Sequence, residues 1–303
     1  MKLVKPSFEI WNQPAGLEGI YKQIEKVGRV CYKSEDKITE DSAKPFVDRM
    51  IKSGHGAMLE HGTVYLKVPT KYVSCNPAYE ETVKVLSWGI KKYLDNQFCY
   101  VNLYADYTYI TTNLRVLVEN NWLDDLKYLC EPTEYHEKRI TVHFVCDRGV
   151  SHEFVRHRVM SFAQESTRYC NYSKDKFGNE LAYIIPNWLN LREGSYTYNY
   201  PDGFTYNGFN FKGDSSFNAF LIAIARSEKT YMDLIELGWK PQEARAVLPN
   251  SLKTELVVTG FISDWNHFFD LRARGTTGAP HPQAKELAEP LMKEFIARKY
   301  INN

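Results

Sequence analysis

The sequence has no long apolar run, no closely spaced cysteine pair and no large excess of charge of either sign. The apolar run at 220–225 is far too short to span a bilayer, and the first residues lack the apolar stretch of a secretory signal. None of the six cysteines has C-x-x-C spacing, which disfavours a zinc knuckle or a thioredoxin-type redox site. We therefore expect a cytoplasmic protein with reduced, mostly buried cysteines and no membrane contact.

Two further absences, of the common nucleotide-binding motifs and of a large net charge, exclude several classes of protein. The chain contains neither the G-x-G-x-x-G pattern of a Rossmann dinucleotide site nor the G-x-x-x-x-G-K-[ST] pattern of a P-loop. The formal net charge of +1 disfavours a dedicated nucleic-acid-binding protein, which usually has a strongly basic face. An anion site on this chain must therefore be a local cluster of basic side chains on a nearly neutral body.

The periodicity of apolar residues predicts a mixed fold. The chain has 303 residues, 44% hydrophobic and 25% charged, which is typical of a soluble globular protein. Helical periodicity predicts helices at 18–32, 41–53 and 217–237, whereas alternation predicts half-buried strands at 63–68 and 140–146 that we expect in one sheet. We predict the α+β class, with a small, mostly antiparallel central sheet flanked by helices.

The most distinctive stretch is 156–169, where Arg156, His157 and Arg158 stand in a row. The upstream pattern predicts a short helix at 149–157, whose end would spread these side chains over a wide fan. Such a fan suits a polyanionic ligand, because the planar arginine fork binds phosphate well. The alternative is a solvated basic face.

The whole stretch resembles the signature of the flavin-dependent thymidylate synthases. In that signature R-H-R is followed, after seven residues, by serine and then by arginine and tyrosine. The matching residues are Arg156, His157, Arg158, Ser161, Ser166, Arg168 and Tyr169. The chain departs from the family at Ala163, where asparagine is frequent, and at Gln164, where glutamate is common.

Three other elements resemble the family in the right order. They are the H-x-x-x-x-E-H element with His55, Glu60 and His61, the A-R-x-x-L-P element with Arg245, and a helix at 263–272 that ends at Arg272. By themselves, the two histidines favour a turn in which they only form hydrogen bonds. Departures lie at Ala57, Phe261, Ser263 and His267, where other members often have threonine, asparagine, arginine and asparagine.

The resemblance implies a thymidylate synthase-complementing fold and the reductive methylation of dUMP to dTMP. It implies FAD as cofactor, methylene-tetrahydrofolate as carbon donor, NADPH as reductant, no metal, and a homotetramer whose active sites are shared between subunits. It implies a catalytic site with Arg272 and Ser166. The residues implied for FAD are His55, Ala57, Arg156, His157, Arg158, Gln164, Ser263 and His267. Those implied for dUMP are Glu153, Arg156, Gln164, Glu165, Ser166, Thr167, Arg168, Arg245 and Arg272.

Relative to compact family members, the single domain at 1–303 contains two additional segments. An insertion at about 69–139 is predicted to hold a helix at 78–92, a tyrosine-rich hairpin at 98–109 and a helix at 112–120. The polar, aromatic and glycine-containing segment at about 192–215 is predicted to be a long loop.

Two other functions remain possible from the residues alone. Ser166 and His157 could serve a nucleotide hydrolase, although arginines surround Ser166 and no third orienting group is evident. The basic row and the tyrosines could also belong to a nucleic-acid-binding module.

Overall fold

The computed structural model describes residues 1–70, 88–104, 106–174, 178–199, 203–206, 208–211 and 215–302. The strands are β1 (Lys2–Val4), β2 (Ser7–Trp11), β3 (Thr63–Pro69), β4 (Tyr100–Leu103), β5 (Tyr107–Asn113), β6 (Arg139–Asp147), β7 (Ser161–Gln164), β8 (Ala182–Ile184), β9 (Gly194–Asn199), β10 (Gly203–Tyr206), β11 (Phe209–Phe211) and β12 (Lys253–Phe261). The helices are α1 (Gly16–Tyr32), α2 (Ala43–Lys52), α3 (Trp88–Leu94), α4 (Leu114–Glu119), α5 (Arg148–Phe154), α6 (Ser215–Glu236), α7 (Pro241–Ala244), α8 (Ile262–Phe269) and α9 (Pro282–Ala297). Shorter helical turns lie at Glu35–Lys37, Gly56–His61, Leu123–Tyr128, Arg245–Val247 and Asp270–Arg274.

The central sheet has the strand order β2-β6-β12-β7, and each neighbouring pair is antiparallel. Its middle strands pair along their full length, from Lys253 opposite Asp147 to Phe261 opposite Arg139. The α+β prediction with a mostly antiparallel central sheet is therefore confirmed, as are the helices predicted at 18–32, 41–53 and 217–237.

The strands predicted at 63–68 and 140–146 both form, but the prediction that they share a sheet is wrong. Strand β3 belongs to a separate sheet of order β3-β5-β4, in which β5 pairs with it from Pro69 opposite Tyr107 to Thr63 opposite Asn113. Alternation shows that one face of a strand is buried but does not identify the partner strand. The partner here comes from the additional segment itself.

Parts of that segment agree with prediction. Strands β4 and β5 form the hairpin predicted at 98–109, and α4 lies within the helix predicted at 112–120. The helix predicted at 78–92 falls mostly outside the described residues.

The loop predicted at 192–215 is wrong, because this segment contains three antiparallel strands, β9, β10 and β11. Aromatic rings pair across them, with centroids 4.9 Å apart for Tyr196 and Tyr206 and 4.8 Å apart for Tyr198 and Phe204. Gly208, at φ +84°, lies in the turn between β10 and β11. The glycine and tyrosine content therefore indicates turns and cross-strand pairs rather than an unstructured segment.

Two apolar cores cover the two faces of the central sheet. One face contributes Val142, Phe144, Leu256 and Val258 to a core completed by α5, α8 and α9. The other face contributes Val257 and Ala163 to a core completed by α1, α2 and the β3 sheet. None of the described helices is both long and apolar enough to cross a bilayer.

We expect Phe295→Ala to destabilise the protein, because Phe295 is fully buried and its ring lies 5.4 Å from Trp265 and 5.1 Å from Phe269. The loss should be about 3–5 kcal/mol in the free energy of unfolding, measured by urea denaturation. The matched change Phe209→Ala, at a side chain that is 78% exposed, should alter it by only about 0.5 kcal/mol. Equal effects of the two changes would contradict this description of the core.

Candidate active site

The basic row of the signature lies in a turn between α5 and β7. The helix ends at Phe154, so the predicted helical continuation to His157 is wrong. The backbone N–H of His157 donates to Phe154 O at 3.2 Å, and that of Arg158 donates to Arg156 O at 3.0 Å. His157 is only 5% exposed and packs on Phe268, with ring centroids 5.0 Å apart, whereas Arg156 and Arg158 are exposed. Burial of the imidazole thus directs the two guanidinium groups outwards.

Arg272 reaches from the turn after α8 back to α5. Its Nη1 donates to Glu153 Oε2 at 2.6 Å, its Nη2 to Glu153 O at 2.8 Å and its Nε to His157 Nε2 at 3.2 Å. These bonds use three of the five guanidinium N–H groups and leave two for a ligand. Arg272 and Glu153 line an open cleft that also includes His281. The fold thus brings Arg272 against Glu153 and His157, which lie more than 100 residues earlier in the sequence.

The hydrogen bond from Arg272 decides the tautomer of His157. Burial, the Arg272 charge and His267 lower the pKa of His157 from 6.5 to about 4, so the ring is neutral near pH 7. Because Nε2 accepts from Arg272, the proton of the neutral ring is on Nδ1. The Nδ1–H is then the single hydrogen-bond donor of the His157 ring.

A second group of predicted residues lies at the other end of β7. Arg245 Nη1 donates to Thr167 Oγ1 at 3.2 Å, and Arg168 Nε donates to Gln242 Oε1 at 3.2 Å. Arg245 is exposed, so its guanidinium is accessible to a ligand. The turn after α7 therefore brings a second arginine beside the signature.

Ser166 lies between these groups and the end of α1. Its backbone N–H donates to Cys31 O at 3.0 Å, and its Oγ accepts from the N–H of Arg168 at 3.3 Å. In the described part of the chain, no histidine or carboxylate is hydrogen-bonded to this hydroxyl. A serine without a neighbouring base is a poor nucleophile.

Gln164 and Glu165 are bound to internal partners. Gln164 Nε2 donates to Ser151 Oγ at 2.8 Å and to Thr254 Oγ1 at 3.2 Å. The Glu165 carboxylate, 2% exposed, accepts from Lys253 Nζ at 3.0 Å and from Tyr172 OH at 2.9 Å. Both side chains therefore form hydrogen bonds within the protein that hold the signature stretch in place.

Sequence reasoning missed the charged network that continues from Glu165. Lys33 and Lys253 each donate to Glu255 Oε1 at 2.5 Å, and Glu255 Oε2 lies 2.9 Å from His143 Nε2. Burial alone would raise the pKa of Glu255, but these partners hold it well below its usual range. The only available signal was a charged residue alternating with apolar ones in β12.

The two histidines at 55 and 61 have different environments. His61 is fully buried, with Nδ1 2.8 Å from Thr259 Oγ1, and burial lowers its pKa to about 3. His55 is exposed at the start of the helical turn Gly56–His61, and Ala57 is half-buried. His61 therefore has the structural role that a hydrogen-bonded turn predicts, whereas His55 is accessible to a ligand.

The residues predicted on α8 also diverge. His267 is exposed, with its ring centroid 5.7 Å from that of His157, so it joins the Arg272 group. Ser263 is exposed and its backbone N–H donates to Glu137 Oε1 at 3.0 Å. Ser263 lies inside α8, which begins at Ile262. The N-cap is Phe261, whose N–H donates to the Asp264 carboxylate.

The donor set fits the phosphates of a dinucleotide. Neither Arg156 nor Arg158 has a side-chain ion pair or hydrogen bond within the described residues, and both are exposed. Free guanidinium groups are suited to phosphate oxygens. The same part of the chain contains no group of three histidine, cysteine, aspartate or glutamate side chains arranged to hold a metal ion.

Comparison with known proteins agrees with the signature. The family model described as thymidylate synthase complementing protein matches residues 131–298, which is more than half of the chain. The chain belongs to this family. The match includes the signature, Arg245 and Arg272, and it leaves the element with His55 and His61 outside.

Curated family members show how far the likeness extends. The flavin-dependent thymidylate synthase of Pyrococcus abyssi is 28% identical over 156 residues, which cover 52% of this chain and 53% of that protein. The one from Geobacter sulfurreducens is 30% identical, covering 41% and 43%. The match spans about half the length of these relatives. Among solved structures, the UMP/dUMP methylase PolB from Streptomyces cacaoi bound with 5-Br dUMP has a TM-score of 0.44 and 17% identity, covering 98% of this chain and 93% of that one.

The low pKa of His157 predicts a pH dependence of stability. Between about pH 4 and 6.5 the unfolded chain binds more protons than the folded protein, because the pKa rises from about 4 to 6.5 on unfolding. His157 should therefore lower the free energy of unfolding as the pH falls through this window, by about 1–2 kcal/mol at pH 5.

Chemical denaturation of wild type and His157→Gln at pH 7 and pH 5 measures this effect. The loss of stability between the two pH values should be smaller in His157→Gln than in wild type. His152→Gln, at an exposed position on α5, is the matched control and should behave as wild type. An identical pH dependence in His157→Gln and wild type would show that His157 titrates normally.

Proposed function

We propose that this protein is a flavin-dependent thymidylate synthase that methylates dUMP to dTMP reductively. The observation that carries the proposal is the pair of arginine groups at the two ends of β7. Glu153, His157 and Arg272 form the group near the start of the strand. Thr167, Arg168 and Arg245 form the group near its end. A nucleotide needs a site for its ring and another for its phosphate, and family membership supports this division.

Arg272 acts on the pyrimidine ring. Its two remaining N–H groups donate to a ring oxygen and stabilise the negative charge that develops when the ring becomes electron-rich at C5. Glu153 and His157 hold the guanidinium in one orientation, so little reorganisation is needed during the reaction.

Arg168, Arg245, Ser166 and Thr167 bind the nucleotide phosphate. Within the described residues, the side chain of each arginine donates a single hydrogen bond, so further N–H groups remain for phosphate oxygens. The strand between the two arginine groups has four residues, a length of roughly 13 Å. We propose the homotetramer that the resemblance implies, with active sites shared between subunits and all of 1–303 as one domain.

Arg156, Arg158, His55 and His267 bind FAD, and His157 contributes its Nδ1–H. Bound FAD would supply the redox chemistry of the methylation, with methylene-tetrahydrofolate as carbon donor and NADPH as reductant. Ala57 offers only a methyl group and its backbone, so FAD contacts at that position differ from those of members with threonine.

Four of the six thiols, those of Cys31, Cys99, Cys130 and Cys146, do not favour a route through cysteine attack on the pyrimidine. Burial raises the pKa of Cys31 to about 12 and that of Cys99 to about 11, and it also raises those of Cys130 and Cys146. Protonated thiols are weak nucleophiles. Among the described residues no base is hydrogen-bonded to the hydroxyl of Ser166, which disfavours the hydrolase alternative.

Flavin binding tests the proposal directly. The purified protein should show the visible absorption of bound flavin and convert dUMP to dTMP when methylene-tetrahydrofolate and NADPH are supplied. Arg158→Ala should remain folded but bind FAD more weakly, since a lost charge-assisted hydrogen bond costs about 1.5–3 kcal/mol. Arg226→Ala, at an exposed position on α6, should bind FAD as wild type does. Full FAD affinity in Arg158→Ala would contradict the assignment of this arginine.

The two arginine groups should have separable kinetic effects. Arg245→Met should raise KM for dUMP with little change in kcat, because phosphate binding is similar in the ground and transition states. Arg272→Met should lower kcat at saturating dUMP, because its charge acts mainly in the transition state. Steady-state kinetics of the two variants measures the difference.

Mixing the two variants tests the sharing of sites. If each site combines Arg245 of one subunit with Arg272 of another, mixed oligomers regain some intact sites, and activity at dUMP concentrations far below the KM of Arg245→Met returns in part. If no activity returns after subunit exchange has been verified, each site is built from a single chain.

A further inference from the structure

Arg139 connects three elements of the candidate site. It is the first residue of β6, where the chain returns from the additional segment to the central sheet. Its Nη1 donates to Glu60 O at 2.9 Å and to Thr63 Oγ1 at 3.3 Å, and its Nη2 donates to Ser161 Oγ at 3.2 Å. One side chain thus joins the turn Gly56–His61, the start of β3 and the first residue of the signature strand.

The environment of this guanidinium is unusual for a cation. No carboxylate lies within ion-pair distance of Arg139 in the described ranges, and burial lowers its pKa. Its Cζ lies 5.5 Å from the ring centroid of Phe261, which supplies a cation–π contact. Arg139 is half-buried, and a partly desolvated charge without an opposite charge is costly, so hydroxyl, carbonyl and ring partners must hold it in place. Surroundings of this kind fix its position closely.

The additional segment holds Glu60 from a second direction. Arg115, on α4, forms an ion pair with the Glu60 carboxylate. The N–H of Leu114 donates to Gly62 O at 2.9 Å, directly after the same turn. Glu60 is therefore held at its carboxylate by Arg115 and at its carbonyl by Arg139. The ring of Tyr100 on β4 lies 6.3 Å from that of Phe261, so the hairpin reaches the same place.

We propose that Arg139 is a positioning residue for the FAD site, which it serves by fixing the turn that carries His55 and Ala57 against the signature strand. The additional segment is then part of the support of the cofactor site rather than an appendage. This inference rests on the proposed function, because it takes FAD as the ligand of His55 and the signature. It also accounts for Phe261, whose ring faces Arg139 at a position where other members often have asparagine.

The test measures two affinities in the chain of 303 residues. After removal of bound flavin, FAD is titrated into wild type, Arg139→Met and Arg139→Lys, and its fluorescence quenching gives Kd. Binding of dUMP is then measured with FAD saturating. Arg139→Met should raise Kd for FAD about tenfold or more, since it removes three hydrogen bonds from a charged donor. Its Kd for dUMP should change by less than about threefold, because dUMP is assigned to the Arg245 and Arg272 groups.

Conservative and remote variants separate positioning from stability. Arg139→Lys keeps the charge but not the fork, so its Kd for FAD should lie between those of wild type and Arg139→Met. The visible circular dichroism of bound FAD should differ from wild type in both Arg139 variants, because it reports the geometry of the site. Arg298→Met, at the exposed C-cap of α9 with a single i,i+4 ion pair, is the matched control and should leave both affinities unchanged.

The outcomes are distinguishable. Failure of wild type to bind FAD overturns the proposed function and this inference with it. Wild-type binding together with an unchanged Kd for FAD in Arg139→Met overturns the inference alone, as does an equal loss of FAD and dUMP affinity. If Arg139→Met is not recovered in folded form, Arg139→Lys decides by the same comparison.

Discussion

The pairing of β12 with both β6 and β7 is the constraint on which the site depends. Along one edge, β12 pairs with β6 over its whole length, and β6 continues into α5 with Glu153. Along the other edge, residues 256–259 pair with β7, the signature strand. The end of β12 leads into α8 and then to Arg272. One strand therefore sets the relative positions of three functional segments, and its apolar side chains are buried on both faces.

Charge is arranged in two ways around this sheet. In the inner network, Lys33, Lys253, Glu255 and Glu165 neutralise one another beneath the signature, with side chains between 2% and 18% exposed. In the outer arrangement, Arg156 and Arg158 are exposed and have no such partner in the described part of the chain. Because the inner charges are compensated, the outer arginines define the potential that an anionic ligand meets. The nearly neutral net charge of the chain hides this difference.

The additional segment adds both structure and contacts. Strand β3 directly follows the turn Gly56–His61. It does not join the central sheet but pairs with β5. The chain returns to the central sheet at Arg139, the first residue of β6. A hydrogen bond from the Arg139 side chain to Glu60 O therefore connects β6 with the turn Gly56–His61, although the two are far apart in the sequence. The hydrogen bonds of this guanidinium thus hold the turn and the sheet together across the additional segment. The segment thus lies against the candidate site, and its strands and arginines are part of the same packed body.

The sequence by itself determined the family, the α+β class and the identities of most candidate residues, because R-H-R and the following serine, arginine and tyrosine have a fixed spacing. Periodicity also located α1, α2, α6, β3 and β6, since burial of one face imposes a local pattern. Only the tertiary structure decided which strands pair, which of His55 and His61 is exposed, and that Gln164 and Glu165 bond internally. It also revealed Arg139 and the Lys33–Glu255 network. These features depend on contacts between residues far apart in the chain, and local patterns carry no information about such partners.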